Sequence, residues 1–125
     1  MYMSPKVILI IEDDQVLAKT LTEALEKEGF AVVQAVDGEE GLEKALSGGP
    51  KLILLDLLLP KMGGIDLLHK LRRDPRGTEV PVIVLTNAES PDLIAKTLAE
   101  NTYDYMLKTD WKLEDIVRRV KEKIK

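Results

Sequence analysis

The sequence predicts an α/β fold, built as a doubly wound, five-stranded parallel sheet with five helices. Two observations support this prediction. Five short aliphatic runs alternate strictly with five segments of helical apolar spacing, and no linker or repeat interrupts the alternation. Short apolar strands separated by helices form right-handed βαβ units whose helices cover both faces of the sheet. We expect the strand order 2-1-3-4-5, which places the topological switch point between the first and third strands.

The composition is that of one domain, and we expect residues 1–125 to form it without cross-links. The absence of cysteine excludes disulfides and cysteine-ligated metal or redox sites. A formal net charge of −4 gives no general attraction to nucleic acid. No apolar run reaches the length of a membrane span, about 18 residues, and the opening MYMSPK lacks a signal-peptide pattern. We therefore expect a cytoplasmic protein with no direct binding to membranes or nucleic acid.

The first strand is predicted over Val7–Ile11, a β-branched run followed at once by the carboxylates of Glu12, Asp13 and Asp14. Apolar residues then recur at helical spacing, and Gly29 is placed to end the helix that they indicate. A buried strand thus delivers carboxylates at its carboxyl end.

The second strand is predicted over residues 30–36, and the Asp37-Gly38 turn leads into a short helix that stops at residues 47–50. The third strand lies within residues 51–60, KLILLDLLLP, where Asp56 is the single carboxylate inside an otherwise apolar run. Burial of an unpaired carboxylate is costly, so we place Asp56 at the carboxyl end of its strand, where open α/β sheets bind ligands. The alternative is a loop carboxylate that caps the next helix.

The third helix is predicted over residues 65–73, and the fourth strand over residues 80–85, with Thr86 at its end. Ser90 is the expected N-cap of the fourth helix, because Pro91 suits the first helical position.

The fifth strand is predicted over residues 103–107 and is closed by Lys108. Asp110 is predicted to cap the last helix, whose buried stripe would begin at Trp111. The only histidine, His69, is expected on the surface. The cations of the third helix and its following turn are interpreted as a solvated face; they are Lys70, Arg72, Arg73 and Arg76.

Polar side chains follow four strands of this sheet and should meet at one edge of it. Glu12, Asp13 and Asp56 would repel one another in a shared crevice, and a hard divalent cation such as Mg²⁺ relieves that repulsion. Thr86 and Lys108 would reach the same crevice from the other side. A hydroxyl and an ammonium near a metal-bound oxyanion suit phosphoryl transfer, in which an Asp can itself be the nucleophile.

With these residues in place, the chain resembles the receiver domain of two-component response regulators over essentially its whole length, a flavodoxin-like fold. The resemblance is carried by Glu12, Asp13, Asp56, Pro60, Met62, Gly64, Thr86, Tyr105 and Lys108.

The resemblance implies that Asp56 accepts a phosphoryl group from the phosphohistidine of a kinase. It further implies that Asp13 and Asp56 bind Mg²⁺ directly, that Glu12 binds it through water, and that the backbone carbonyl of Leu58 completes the protein ligands.

The resemblance also assigns the remaining residues of the site. Thr86 and Lys108 would bind the phosphoryl oxygens, and Thr86 with Tyr105 would form a switch that changes the surface of helix four, strand five and helix five. The implied partners are a sensor histidine kinase or phosphotransfer protein and an unknown downstream output protein. The implied state is a monomer, with dimerisation on phosphorylation left open.

Two other function classes are alternatives to this switch. A phosphorylation-independent, receiver-like adaptor is the alternative, although the intact set of reacting groups argues against it. A phosphatase with an Asp nucleophile would need a second Asp two residues on, where Leu58 stands. We therefore expect a phosphoacceptor domain that catalyses only its own phosphorylation and dephosphorylation, and no enzyme acting on other substrates.

Overall fold

The computed structural model describes residues 4–124; residues 1–3, on which the signal-peptide expectation partly depends, and residue 125 lie outside the described residues. Strands and helices alternate through the described chain as the sequence predicts. In chain order the elements are β1 (Val7–Ile11), α1 (Gln15–Lys27), β2 (Ala31–Ala35), α2 (Gly38–Ser47), β3 (Leu52–Leu55), α3 (Gly64–Arg73), β4 (Val82–Thr86), α4 (Pro91–Ala99), β5 (Asp104–Leu107) and α5 (Leu113–Lys123).

The five strands form one sheet in the order β2-β1-β3-β4-β5, and each neighbouring pair is parallel. The predicted order is confirmed. The register aligns Ile11 with Leu55, so the residues that follow them, Glu12 and Asp56, leave the sheet at the same level. Thr86 is aligned with Leu107 in the same way. The carboxyl ends of four strands therefore meet at one edge.

Two apolar cores lie on opposite faces of the sheet. In β1, Ile8 and Ile10 face the core shared with α1 and α5, whereas Leu9 and Ile11 face the core shared with α2 and α3. Successive strand residues point to opposite faces, so a strand covered on both sides must be apolar at every position. This requirement explains the continuous aliphatic runs that predicted a doubly wound sheet.

Helix ends follow the predicted signals at two positions. Gly29 has a φ of +93°, the left-handed conformation that ends α1. The Ser90 hydroxyl oxygen accepts a hydrogen bond from the N–H of Leu93 at 3.4 Å and caps α4. Within residues 4–124, no helix has the length and apolarity needed to cross a bilayer.

The prediction for the start of α5 is wrong. The N-cap is Lys112 and not Asp110, because the N–H of Asp110 bonds to the carbonyl of Leu107 in a turn. The carboxylate of Asp115 accepts the N–H of Lys112 at 3.2 Å and fixes the later start. Trp111 therefore precedes the helix, is 43% exposed, and does not belong to the core.

Arg72 corrects the prediction of a wholly solvated cationic face. Its guanidinium is partly buried and donates to the carbonyls of Glu100, Gly77 and Val80 at 3.0, 3.0 and 2.7 Å. It also donates to the hydroxyl of Thr102 at 3.2 Å. Burial lowers the pKa of Arg72 below its ordinary value. Arg72 thus joins the end of α3 to the segments that precede β4 and β5.

His69 lies on the surface, as predicted, and its Nδ1 is 2.8 Å from Glu100 Oε2. Arg73 Nη1 is 2.8 Å from the other oxygen of the same carboxylate. Glu100 is the C-cap of α4, so side chains of α3 hold the carboxyl end of α4.

Candidate functional site

Three carboxylates converge where β1 and β3 end. Glu12 and Asp13 follow β1, Asp56 follows β3, and one oxygen from each lies within 4.8 Å of the others. Glu12 and Asp56 are buried, and Asp13 is exposed at the rim. Asp56 lies beside the carboxylates that follow β1, as the strand-end argument requires, and the alternative of a helix cap is wrong, since Gly63 is the N-cap of α3.

Lys108 bridges the two buried carboxylates. Its ammonium is 2.6 Å from Glu12 Oε1 and 3.0 Å from Asp56 Oδ2. Burial alone would lower the pKa of Lys108, but hydrogen bonds to Glu12 and Asp56 outweigh it and raise that pKa above its ordinary value. Burial raises the pKa of Glu12, aided by the charge of Asp56 and opposed by the hydrogen bond from Lys108.

Backbone groups orient the same carboxylates. The N–H of Leu58 donates to Asp56 Oδ1 at 3.2 Å, and the N–H of Asp14 donates to Glu12 Oε2 at 3.1 Å. The backbone of Leu58 is therefore beside the acceptor oxygen, while its side chain is 59% exposed. Asp56 accepts one bond from the Leu58 N–H and one from the Lys108 ammonium. Because each carboxylate oxygen carries two lone pairs, Asp56 keeps accepting capacity after these two bonds.

Thr86 and Tyr105 are connected through Ala88. Thr86 is fully buried at the end of β4, and its hydroxyl oxygen accepts the N–H of Ala88 at 3.2 Å. The Tyr105 hydroxyl donates to the carbonyl of Ala88 at 2.5 Å. Burial raises the pKa of Tyr105, and the negative charges of Glu89 and Asp56 add to the effect. The backbone of Thr86 also accepts the N–H of Lys108 at 2.9 Å.

The structure thus brings together the residues that the sequence singled out, to different degrees. Glu12, Asp56 and Lys108 are in direct contact, and Asp13 completes the acidic cluster. Thr86 is linked to this group through its backbone carbonyl, which accepts the N–H of Lys108.

The donor set fits a hard divalent cation. Three carboxylates face one ammonium, so two formal negative charges remain when all are ionised. Mg²⁺ prefers oxygen ligands, uses few carboxylates, and keeps several waters. The acidic cluster can therefore hold such an ion, with the exposed Asp13 at its open side.

One contact beside the site is not predicted by the sequence, although the Asp37-Gly38 turn that makes it is. The Asp37-Gly38 turn contacts the loop that follows Asp56, with the N–H of Gly38 donating to the carbonyl of Pro60 at 3.2 Å. Lys61 Nζ is 3.7 Å from Asp37 Oδ2. The Asp-Gly pair signals a turn, but nothing in the sequence indicates which loop that turn contacts.

Comparison with known proteins gives a consistent result. Residues 8–121 match the family model described as "Response regulator receiver domain". The transcriptional regulatory protein YkoG of Bacillus subtilis is 37% identical over 115 residues, which cover 91% of this chain and 49% of that protein. The cell cycle transcriptional regulator CtrA of Caulobacter vibrioides is 41% identical over 111 residues, which cover 89% of this chain and 47% of that protein.

Solved structures show the same likeness. A CheY-like response regulator receiver domain protein of Methanospirillum hungatei has a TM-score of 0.89 and 31% identity, over 97% of this chain and 94% of that one. The chain spans about half the length of the curated relatives named above.

Proposed function

This chain belongs to the response regulator receiver domain family, and from that membership we propose that it is a switch driven by phosphorylation of Asp56. Receiver domains are phosphoacceptor signalling modules of two-component systems rather than classical enzymes, and they partner with histidine kinases. The observation that carries the proposal is the position of Asp56, a buried carboxylate that is bonded to Lys108 and lies beside Glu12 and Asp13.

The proposed step is a phosphoryl transfer between a nitrogen and an oxygen. An oxygen of Asp56 attacks the phosphorus of a phosphohistidine, and a P–O bond forms as the donor P–N bond breaks. The imidazole nitrogen leaves with the electron pair of that bond and takes up a proton. Such transfers depend mainly on positioning and on stabilisation of charge on the phosphoryl oxygens.

The surrounding residues have distinct roles in this proposal. Asp13 and Asp56 would bind Mg²⁺ directly, Glu12 would bind it through water, and the Leu58 carbonyl would be the remaining protein ligand. The bound cation would neutralise charge on the transferring group. Lys108 exchanges part of its contact with Asp56 for a phosphoryl oxygen.

The proposed signal travels from Thr86 to the face made by α4, β5 and α5. The Thr86 hydroxyl binds a second phosphoryl oxygen, which competes with its bond to the Ala88 N–H. Because Tyr105 bonds to the carbonyl of Ala88, a change at Thr86 alters the start of α4 and the surface around it. A sensor histidine kinase or phosphotransfer protein is the proposed donor, and a downstream output protein is the proposed reader of that face.

The experiment is intact-mass spectrometry after incubation with acetyl phosphate and Mg²⁺. We expect wild type to gain one phosphoryl group and Asp56→Asn to gain none. Asp66→Asn, at an exposed aspartate in the first turn of α3, is the matched control and should behave like wild type. A wild type that stays unmodified with both acetyl phosphate and a kinase donor would refute the switch and favour a phosphorylation-independent adaptor.

A further inference from the structure

The loop that follows Asp56, residues 57–63, contacts the Asp37-Gly38 turn. Within residues 4–124, its one hydrogen bond to an element other than the flanking β3 and α3 joins the Pro60 carbonyl to the N–H of Gly38. Among the residues that the structure describes, the loop has a single ion pair, which joins Lys61 to Asp37 of the same turn. The other oxygen of Asp37 caps α2 by accepting the N–H of Glu40 at 2.8 Å, and Gly38 is the first residue of α2, so this turn is the start of that helix.

The contact between turn and loop requires a glycine. A Cβ on Gly38 would lie 1.9 Å from the carbonyl oxygen of Met62 and 2.6 Å from its Cβ. Non-bonded carbon and oxygen atoms stay about 3.3 Å apart, so any side chain at position 38 must separate turn and loop by more than about 1 Å. The obstacle is backbone, which cannot rotate away as a flexible side chain would.

The carboxyl end of the loop also leaves no room for a side chain at Gly64. A Cβ on Gly64 would lie 2.7 Å from the Cα of Leu57, and the N–H of Gly64 bonds to the Leu57 carbonyl at 3.0 Å. The loop is therefore confined between α3 on one side and the Asp37-Gly38 turn on the other. Between these two contacts lies Leu58, whose N–H bonds to Asp56.

We propose that Gly38 is a positioning residue for magnesium binding, because its missing side chain sets where the loop places the Leu58 carbonyl; this inference rests on the proposed magnesium site. Mg²⁺ demands near-octahedral geometry with bonds of about 2.0–2.1 Å. A displacement of about 1 Å in one ligand cannot be absorbed within that geometry. Mutation of a residue that orients a metal ligand without binding the metal typically lowers metal affinity by about 10- to 100-fold.

The test compares two glycines of neighbouring segments. In Gly38→Ala we expect at least about a tenfold loss of Mg²⁺ affinity by isothermal titration calorimetry, with faster amide exchange in residues 57–63. Gly63→Ala is the matched control. It lies in the loop itself, has an ordinary φ of −65°, and its new Cβ would meet no atom closer than 4.0 Å. We expect Gly63→Ala to bind Mg²⁺ like wild type. Wild-type affinity in Gly38→Ala would overturn the proposal, since the turn would then have yielded instead of the loop.

A second variant decides the matter if Gly38→Ala does not fold. Lys61 has a φ of +68°, which glycine adopts without strain, so Lys61→Gly removes the ion pair to Asp37 and loosens the loop. Loss of one positive charge from this loop would by itself raise Mg²⁺ affinity. Loss of the ion pair that holds the loop to Asp37 should instead lower Mg²⁺ affinity, and we expect a fall of about two- to fivefold. A rise would refute the positioning role, whereas absence of Mg²⁺ binding by wild type would refute the proposed metal site itself.

Discussion

The hydroxyl of Tyr105 donates a 2.5 Å hydrogen bond to the backbone carbonyl of Ala88 and so ties β5 to the segment that leads into α4. The same Ala88 donates its N–H to the hydroxyl of Thr86. Ala88 is thus hydrogen-bonded to both proposed members of the switch, as donor to Thr86 and as acceptor from Tyr105. The bond gives a direct way to test whether β5 and α4 are coupled.

Tyr105→Phe should loosen the segment between β4 and α4. The variant keeps the ring and loses one hydrogen bond, which should cost about 1 kcal/mol of unfolding free energy. Amide hydrogen exchange should accelerate in residues 87–93. Tyr103→Phe is the control, because that hydroxyl donates to Asn101 on the exposed surface. Equal exchange in the two variants would show that the Ala88 bond does not hold the segment.

Mg²⁺ should stabilise the wild-type protein through the acidic cluster. A ligand at ten times its dissociation constant that binds only the native state adds about 1.4 kcal/mol. Asp13→Ala should abolish this gain in thermal melts, and without Mg²⁺ it should melt at or above the wild-type temperature, because it relieves like-charge repulsion. Glu23→Ala, on the exposed face of α1, should keep the full response. A wild-type melting temperature that does not change with millimolar-range Mg²⁺ would contradict the shared site.

Substitution of Arg72 should lower the unfolding free energy more than substitution of the neighbouring Arg73. Arg72→Lys should lower the unfolding free energy by about 2 kcal/mol, because one ammonium cannot serve the carbonyls that precede β4 and those that precede β5 at once. Arg73→Lys, one residue on, should cost less than about 1 kcal/mol, since Arg73 is largely exposed. Urea unfolding measures both, and equal losses would show that Arg72 acts only as a surface charge.

Asp104 should make stability fall at acid pH. Burial opposes ionisation, but hydrogen bonds from Lys123 and Arg119 prevail and hold the pKa of Asp104 below its ordinary value. A lowered carboxyl pKa stabilises the fold above the unfolded pKa, about 3.9, and that contribution disappears as the pH falls through the folded pKa.

Asp104→Asn should therefore cost about 1–2 kcal/mol at pH 7, and the difference from wild type should shrink below about pH 4. Denaturant unfolding across this range measures the difference. Glu79→Gln, at an exposed carboxylate, should show no such trend. A difference between wild type and Asp104→Asn that stays constant down to pH 3 would contradict the role of the ionised pair.

The site residues were predictable because each lies at the carboxyl end of a strand that the sequence predicts. Asp56 inside an aliphatic run and Glu12 directly after Val7–Ile11 are local signals, and the parallel sheet brings such ends together whatever the loops do. Lys108 was assigned to the same crevice by the same rule, but its simultaneous contact with Glu12 and Asp56 needs the actual distances.

Trp111 and Arg72 show where such reasoning fails. Trp111 falls at helical spacing with the α5 stripe, yet a turn at Asp110 delays the helix and leaves the ring exposed. Arg72 lies in a cationic stretch that would be solvated on an isolated helix. Its burial depends on carbonyls 5 to 28 residues away along the chain, whose positions no local pattern encodes.

The sequence by itself determined the alternation of strands and helices and the polar residues at the strand ends, because these follow from the period of apolar residues. The strand order was predicted as one of the known orders of doubly wound sheets, and that order brings the carboxylates together at one edge. Only the tertiary structure decided which loops and helix ends touch one another. The approach of Gly38 to the Met62 backbone is one such contact, and the tether from Arg72 to Glu100 is another. Contacts of this kind join segments far apart in the chain, and their geometry is set by how whole helices pack on the sheet.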